Sequence, residues 1–235
     1  MIDHKIDFIA AVRGRLIVSV QADAGDPLDD PHILTAMAQA VVRGGAAAIR
    51  ACQPANIAAI RAAVGVPLIG LSKKEYRDSS VYITPTLADA LAVAATGCAV
   101  IALDATLRPR PGGETLGTIV AGLRQATSAL LMADVATVQE GAAALELGFE
   151  IISSTLSGYT AESSGSDPCQ PDYELVAALV REAGGRAAVI AEGRIWHPEE
   201  AQRLLALGAH AVVVGTAITH PGAITRRFIE MMQPR

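Results

Sequence analysis

Lysine is nearly missing from this chain: its 235 residues include three lysines against sixteen arginines, and two of the three, Lys73 and Lys74, stand side by side. Aromatic residues make up only 3% while half the chain is hydrophobic, so the core must be built from Ala, Val, Leu and Ile. That mix suits short parallel strands covered by alanine-rich helices. Positive charge is in deficit too. A net charge of −5 argues against a nucleic-acid backbone or an anionic membrane surface as the main partner. An anionic small ligand remains compatible, met by a few local arginines and backbone amides. Cys52, Cys98 and Cys169 are odd in number and lack metal spacing, which fits a reducing cytoplasm. No apolar run approaches the roughly 18 residues that span a bilayer. The stretch from Met1 to Ala11 interrupts its apolar residues with Asp3, Lys5 and Asp7, so no signal peptide is expected there.

What is present is a repeated phrase: a helical Ala/Leu stretch, a glycine suited to a helix C-cap, then an apolar strand ending in polar residues. It occurs with glycines Gly45, Gly97, Gly148 and Gly208 before strand candidates at 46–49, 98–103, 149–152 and 209–214. Four further candidates, 16–20, 66–71, 129–132 and 187–190, complete a set of eight. At this length, eight βα phrases predict an α/β fold, a single-domain (β/α)₈ TIM barrel spanning residues 1–235. The rival open doubly wound sheet lacks its Gly-x-Gly-x-x-Gly after the first strand. The irregular stretch 154–172, rich in Ser, Gly and Pro, is long enough to predict a lid.

In such a barrel all strand C-termini converge on one mouth, where chemistry sits. The exits read Gln21, Arg50, Lys73, Asp104, Asp134, Ser154 with Thr155, Glu192 with Gly193 and Arg194, and Gly215 with Thr216. Each alone is an ordinary way to end a strand; together they place a lysine, arginines and carboxylates at one end. Glycines after the seventh and eighth strands let backbone approach a phosphate, so Gly193 and Gly215, with Arg194 and Thr216, are the phosphate-binding candidates. A lysine facing a phosphate-anchored substrate leaves two chemistries open: proton transfer beside a carbonyl, or a Schiff base. A base must be held neutral against a free-lysine pKa of about 10.4, which partial burial and a neighbouring cation such as Lys74 favour. Because a carboxylate would work against this, Glu192 and Lys73 are expected to flank the substrate. A non-catalytic sugar-phosphate sensor is the reading from another class, and would be expected to lose such ionisable residues.

Several segments carry a resemblance: LIVSVQA at 16–22, GLSKKEY at 70–76, VYITPT at 81–86, IALDAT at 101–106, MAD at 132–134, STLSGYT at 154–160, AEGRI at 191–195 and VVGTAIT at 213–219. In this order, over nearly the whole chain, they resemble the bacterial N-acetylmannosamine-6-phosphate 2-epimerases. The resemblance implies a barrel that interconverts N-acetylmannosamine 6-phosphate and N-acetylglucosamine 6-phosphate in sialic-acid catabolism, with no cofactor and no metal. It maps the catalytic lysine to Lys73, with Glu192, Asp134 and Arg50 as its catalytic partners and Gln21 at the end of strand one. Thr155, Tyr159 and Asp104 are the remaining expected substrate contacts. Ser72 stands where the family often has Ile or Val, a departure beside the lysine. The apolar stretch 229–232 suits a homodimer contact.

Overall fold

The computed structural model describes residues 8–165 and 167–232; the first seven residues, with Asp3, Lys5 and Asp7, lie outside them. The chain runs α1 (Phe8–Val12), β1 (Leu16–Val20), α2 (Pro31–Arg43), β2 (Ala48–Cys52), α3 (Pro54–Ala63), β3 (Leu68–Leu71), α4 (Leu87–Ala94) and β4 (Val100–Asp104). It continues with α5 (Leu116–Ala126), β5 (Leu130–Asp134), α6 (Val138–Glu146), β6 (Ile151–Ser153), α7 (Tyr173–Ala183), β7 (Ala188–Glu192), α8 (Pro198–Ala206), β8 (Ala211–Val214), α9 (Thr216–Thr219) and α10 (Pro221–Met232). The eight strands pair in sequence order, all parallel, and β8 closes on β1. The barrel expected from the eight phrases is therefore the fold.

Successive side chains on a strand alternate between faces, and here the alternation sorts the molecule into two layers. Val18, Ile49, Ile101, Leu131 and Ile152 point outward and pack with helix residues such as Leu34, Ile57, Ile119 and Leu179. Ile17, Ala48, Ile69, Ala102, Met132, Ile151, Ile190 and Val213 point inward and fill the barrel. The short α1 joins this inner cluster through Phe8 and Val12, anchored by a 2.7 Å contact between His210 Nε2 and the Ile9 carbonyl. Helix starts carry their own signals. Thr137 accepts from the Glu140 N–H at 3.3 Å, and Glu140 Oε2 accepts from the Ala136 and Thr137 N–H groups at 2.7 and 2.9 Å, a reciprocal cap for α6.

The observed strands start and stop later than expected, by about two residues at several ends. Ala46, Ala47, Phe149 and Ala209 are buried, hence apolar, yet they precede the ladder. At the other end, Arg50 and Glu192 lie inside β2 and β7. No helix among the described residues is long and apolar enough to cross a membrane.

Candidate active site

Following the inward phase up each strand leads from apolar filler to chemistry: Ala48 to Arg50, Leu71 to Lys73, Met132 to Asp134, Ser153 to Thr155, Ile190 to Glu192, Ile17 through Ser19 to Gln21. They open into a cavity of about 650 Å³. Its walls include Gln21, Arg50, Lys73, Thr155, Tyr159, Glu192, Gly193, Arg194, Gly215 and Thr216, ten of the twelve residues expected to form the site. The other two, Asp104 and Asp134, are fully buried and do not line it.

Arg50 is the hub. It is 1% exposed and grips Asp134 with two nitrogens, Nη1 to Oδ1 at 3.1 Å and Nη2 to Oδ2 at 2.6 Å. Its Nη1 also lies 3.2 Å from Glu192 Oε2. Burial pulls the guanidinium's affinity for its proton down, but the Asp134 and Glu192 carboxylates outweigh this and hold it above the ordinary value. Arg50 is a fixed cation. Asp134 is its structural counter-charge and also accepts from Thr155 Oγ1 at 2.8 Å.

Thr155 then ties the second carboxyl into the chain, its Oγ1 lying 3.0 Å from Glu192 Oε2. A hydroxyl carries one hydrogen. That single hydrogen cannot serve Asp134 and Glu192 at once, so a proton on one of the two carboxyls completes the chain. The electrostatics agree: burial raises the Glu192 carboxyl, Arg50 opposes the rise and Asp134 adds to it, leaving it above its ordinary range.

Lys73 enters from the opposite wall. It is 39% exposed, with Nζ 3.6 Å from Asp23 Oδ1, and it shares the cavity with Glu192 without pairing to it, as the flanking arrangement requires. Its backbone is strapped to the chain from residue 81 onward by an antiparallel bridge to Ile83 and a 2.9 Å bond from the Lys74 N–H to the Tyr82 carbonyl. Lys74 points elsewhere: Nζ is 3.5 Å from Asp89 Oδ1 and sits 4.8 Å over the Tyr76 ring. The adjacent pair thus splits between mouth and outer wall, and the expectation that Lys74 crowds the Lys73 amine is not met: Lys74 turns to Asp89, while Lys73 pairs with the Asp23 carboxylate.

Two further expectations change. Asp104, expected to touch substrate, instead accepts from Thr106 N–H and Oγ1 at 3.0 and 2.7 Å and from Arg108 at 2.6 Å; it orders the floor beneath the 81–86 segment. Arg194, expected to present a guanidinium fork to phosphate, spends its nitrogens on the 154–172 loop. It donates to the carbonyls of Gln170, at 2.9 Å, and Ser157, and stacks over Tyr159. That loop forms one cavity wall through Gly158, Tyr159, Ser164 and Pro168. At the adjoining exit, Gly193 holds φ 111°, a conformation glycine adopts freely.

Tyr82, Asp23 and Ser19 also line the cavity and were not singled out from sequence. The Tyr82 phenol is pushed up to about 12 by burial and then by Asp134 and Asp104, so it stays a proton-bearing donor at neutral pH. Two buried polar atoms in the wall have no protein partner, Arg50 Nε and Gln21 Oε1. Buried polar groups ordinarily find partners, and these two belong to residues that line the cavity.

A family model described as "Putative N-acetylmannosamine-6-phosphate epimerase" matches residues 34–234. A "Putative N-acetylmannosamine-6-phosphate 2-epimerase" of Caldanaerobacter subterraneus subsp. tengcongensis is 46% identical over 232 residues, covering 98% of this chain and 96% of that protein. A protein of the same name from Lactiplantibacillus plantarum is 46% identical over 229 residues, covering 97% of this chain and all of the other. Among solved structures, the N-acetylmannosamine-6-phosphate 2-epimerase of Clostridium perfringens superposes with a TM-score of 0.93 at 43% identity, over 97% of this chain and 98% of that one. Sequence and barrel agree, and the chain belongs to the N-acetylmannosamine-6-phosphate epimerase family.

Proposed function

We propose that this protein is an N-acetylmannosamine-6-phosphate 2-epimerase, interconverting N-acetylmannosamine 6-phosphate and N-acetylglucosamine 6-phosphate by moving a proton at C2. The observation that carries this reading is the placement of Lys73 and Glu192 in one cavity without an ion pair between them, with the buried Arg50 cation beside Glu192. In the open-chain sugar, C2 lies next to the C1 aldehyde, so loss of its proton spreads charge onto oxygen. Lys73 removes the proton in one direction, and Glu192 delivers one to the opposite face; the roles exchange in reverse. Arg50 stabilises the enolate as a preorganised cation. Asp134 holds Arg50 in place, and Gln21, Thr155 and Tyr159 bind the sugar's polar groups. Phosphate sits at the Gly193 and Gly215 backbone with Thr216, where Arg194 adds charge while holding the loop; this remote grip helps place C2. The chemistry calls on no redox cofactor or metal. Three unpaired cysteines suit work in the reducing cytoplasm, and a second copy of the chain would cover the exposed Phe228, Ile229, Met231 and Met232 of α10.

Glu192→Gln separates function from stability. A neutral amide has no proton to give, so turnover should fall about 10²–10⁴-fold. Stability should move the other way. Folding raises the Glu192 carboxyl, so between its ordinary value of 4.5 and the raised one the native state binds more protons than the unfolded chain. Stability then falls as pH rises through that window. Glu192→Gln lacks this loss, so its Tm should match the parent below that window and equal or exceed it at pH 7. An active Glu192→Gln would remove Glu192 from the chemistry.

A further inference from the structure

Among the described residues, three that are not glycine have φ in the left-handed region: Gln53 at 72°, Thr84 at 46° and Arg194 at 56°. All three stand at the mouth, and two of them, from different loops, hold the same peptide. Gln53 Nε2 donates to the Lys73 carbonyl at 2.8 Å, and its Oε1 accepts from Ser72 Oγ at 3.0 Å. Its backbone N–H donates to the Leu71 carbonyl at 2.9 Å. From the other side, Thr84 N–H donates to the Ser72 carbonyl at 2.6 Å. Thr84 Oγ1 accepts from the Ser72 N–H at 3.2 Å and donates to the Ala102 carbonyl at 2.7 Å.

Gln53 occupies the N-cap position of α3, yet its side chain makes no capping bond. Glycine would adopt φ 72° without strain, whereas an L side chain resists it. A strained residue persists where its surroundings over-determine it, and such residues cluster at working sites. Here the amide reaches across from the β2 exit to the β3 exit, and Ser72, the residue that departs from the usual family pattern, supplies half of its grip.

We propose that Gln53 is a positioning residue for epimerisation: it fixes the Lys73 carbonyl and the Ser72 hydroxyl so that the long Lys73 side chain starts from one backbone position toward C2. This rests on reading Lys73 as a proton-transferring group. Lysine has a flexible four-carbon stem, and a displacement of about 1 Å at a reacting group can reduce rate by about 10²-fold.

Gln53→Gly is the test, because it removes both side-chain bonds while suiting the backbone. Tm should hold or rise, KM should stay near the parent value, and kcat should fall roughly 10- to 100-fold. The deuterium isotope effect on kcat, with C2-deuterated N-acetylmannosamine 6-phosphate, should grow as proton removal becomes limiting. Ser72→Ala should show a smaller loss of the same kind and add nothing further to Gln53→Gly, since both act through one bond. If Gln53→Gly gives no folded protein, Ser72→Ala with the isotope effect decides alone. Parental kcat with an unchanged isotope effect, or activity lost only in proportion to folded protein, overturns the proposal. Parental turnover in Lys73→Ala would instead overturn the reading of Lys73 and the proposal with it.

Discussion

Replacing Lys73 with alanine lowers kcat about 10²–10⁴-fold, the range a positioned acid or base contributes, while Lys74→Ala leaves turnover near the parental rate. The two residues are adjacent, so the contrast is a test of register. Strand alternation, continued past Leu71, points Lys73 into the cavity and turns Lys74 onto Asp89 and Tyr76. Both variants should remain folded. Lys73 makes a 3.6 Å ion pair with the exposed Asp23, and Lys74 is over half exposed; pairs of this kind contribute about 0–1 kcal/mol. Steady-state kinetics beside a thermal melt separate the outcomes. Equal losses in the two variants, or the larger loss in Lys74→Ala, would refute the assignment.

Arg50→Leu is expected to strike stability and activity together. It leaves Asp134, wholly buried and held by two guanidinium nitrogens, without its counter-charge. Removing one partner of a buried pair typically costs about 3–5 kcal/mol, which in a domain of this size lowers Tm by roughly 10 °C or more. The companion Arg50→Leu/Asp134→Leu should regain much of that stability, because two apolar residues in place of a buried ion pair are often neutral or better. It should regain no activity. Recovered turnover in the double variant would show that Arg50 serves the fold alone. A melt of Arg50→Leu near that of the parent would show that Asp134 finds other partners.

The barrel was legible because eight apolar strand-like runs recur, four of them introduced by the same helix–glycine phrase. The mouth was legible for the same reason: residues such as Arg50 and Glu192 interrupt an apolar strand where the chain would otherwise continue it. That interruption also hid the strand ends, since a polar residue on an inward-facing position looks like the start of a loop. Asp104 and Arg194 show the limit of reading exits one by one. Both stand at strand ends, yet Arg108 and Thr106 claim the first, and the Ser157 and Gln170 carbonyls claim the second. Nothing in local periodicity forecasts partners that arrive from a neighbouring loop. Gln53 and Thr84 were invisible for a further reason. Their backbone strain is set by tertiary contacts, and neither residue type signals a left-handed turn.

The most direct measurement is epimerisation of N-acetylmannosamine 6-phosphate in deuterated buffer, followed by proton NMR of the sugar at C2. Proton transfer between Lys73, Glu192 and C2 predicts N-acetylglucosamine 6-phosphate carrying deuterium at C2, formed about 10²–10⁴-fold more slowly by Lys73→Ala. Product formed at the parental rate with its original C2 proton retained would contradict it.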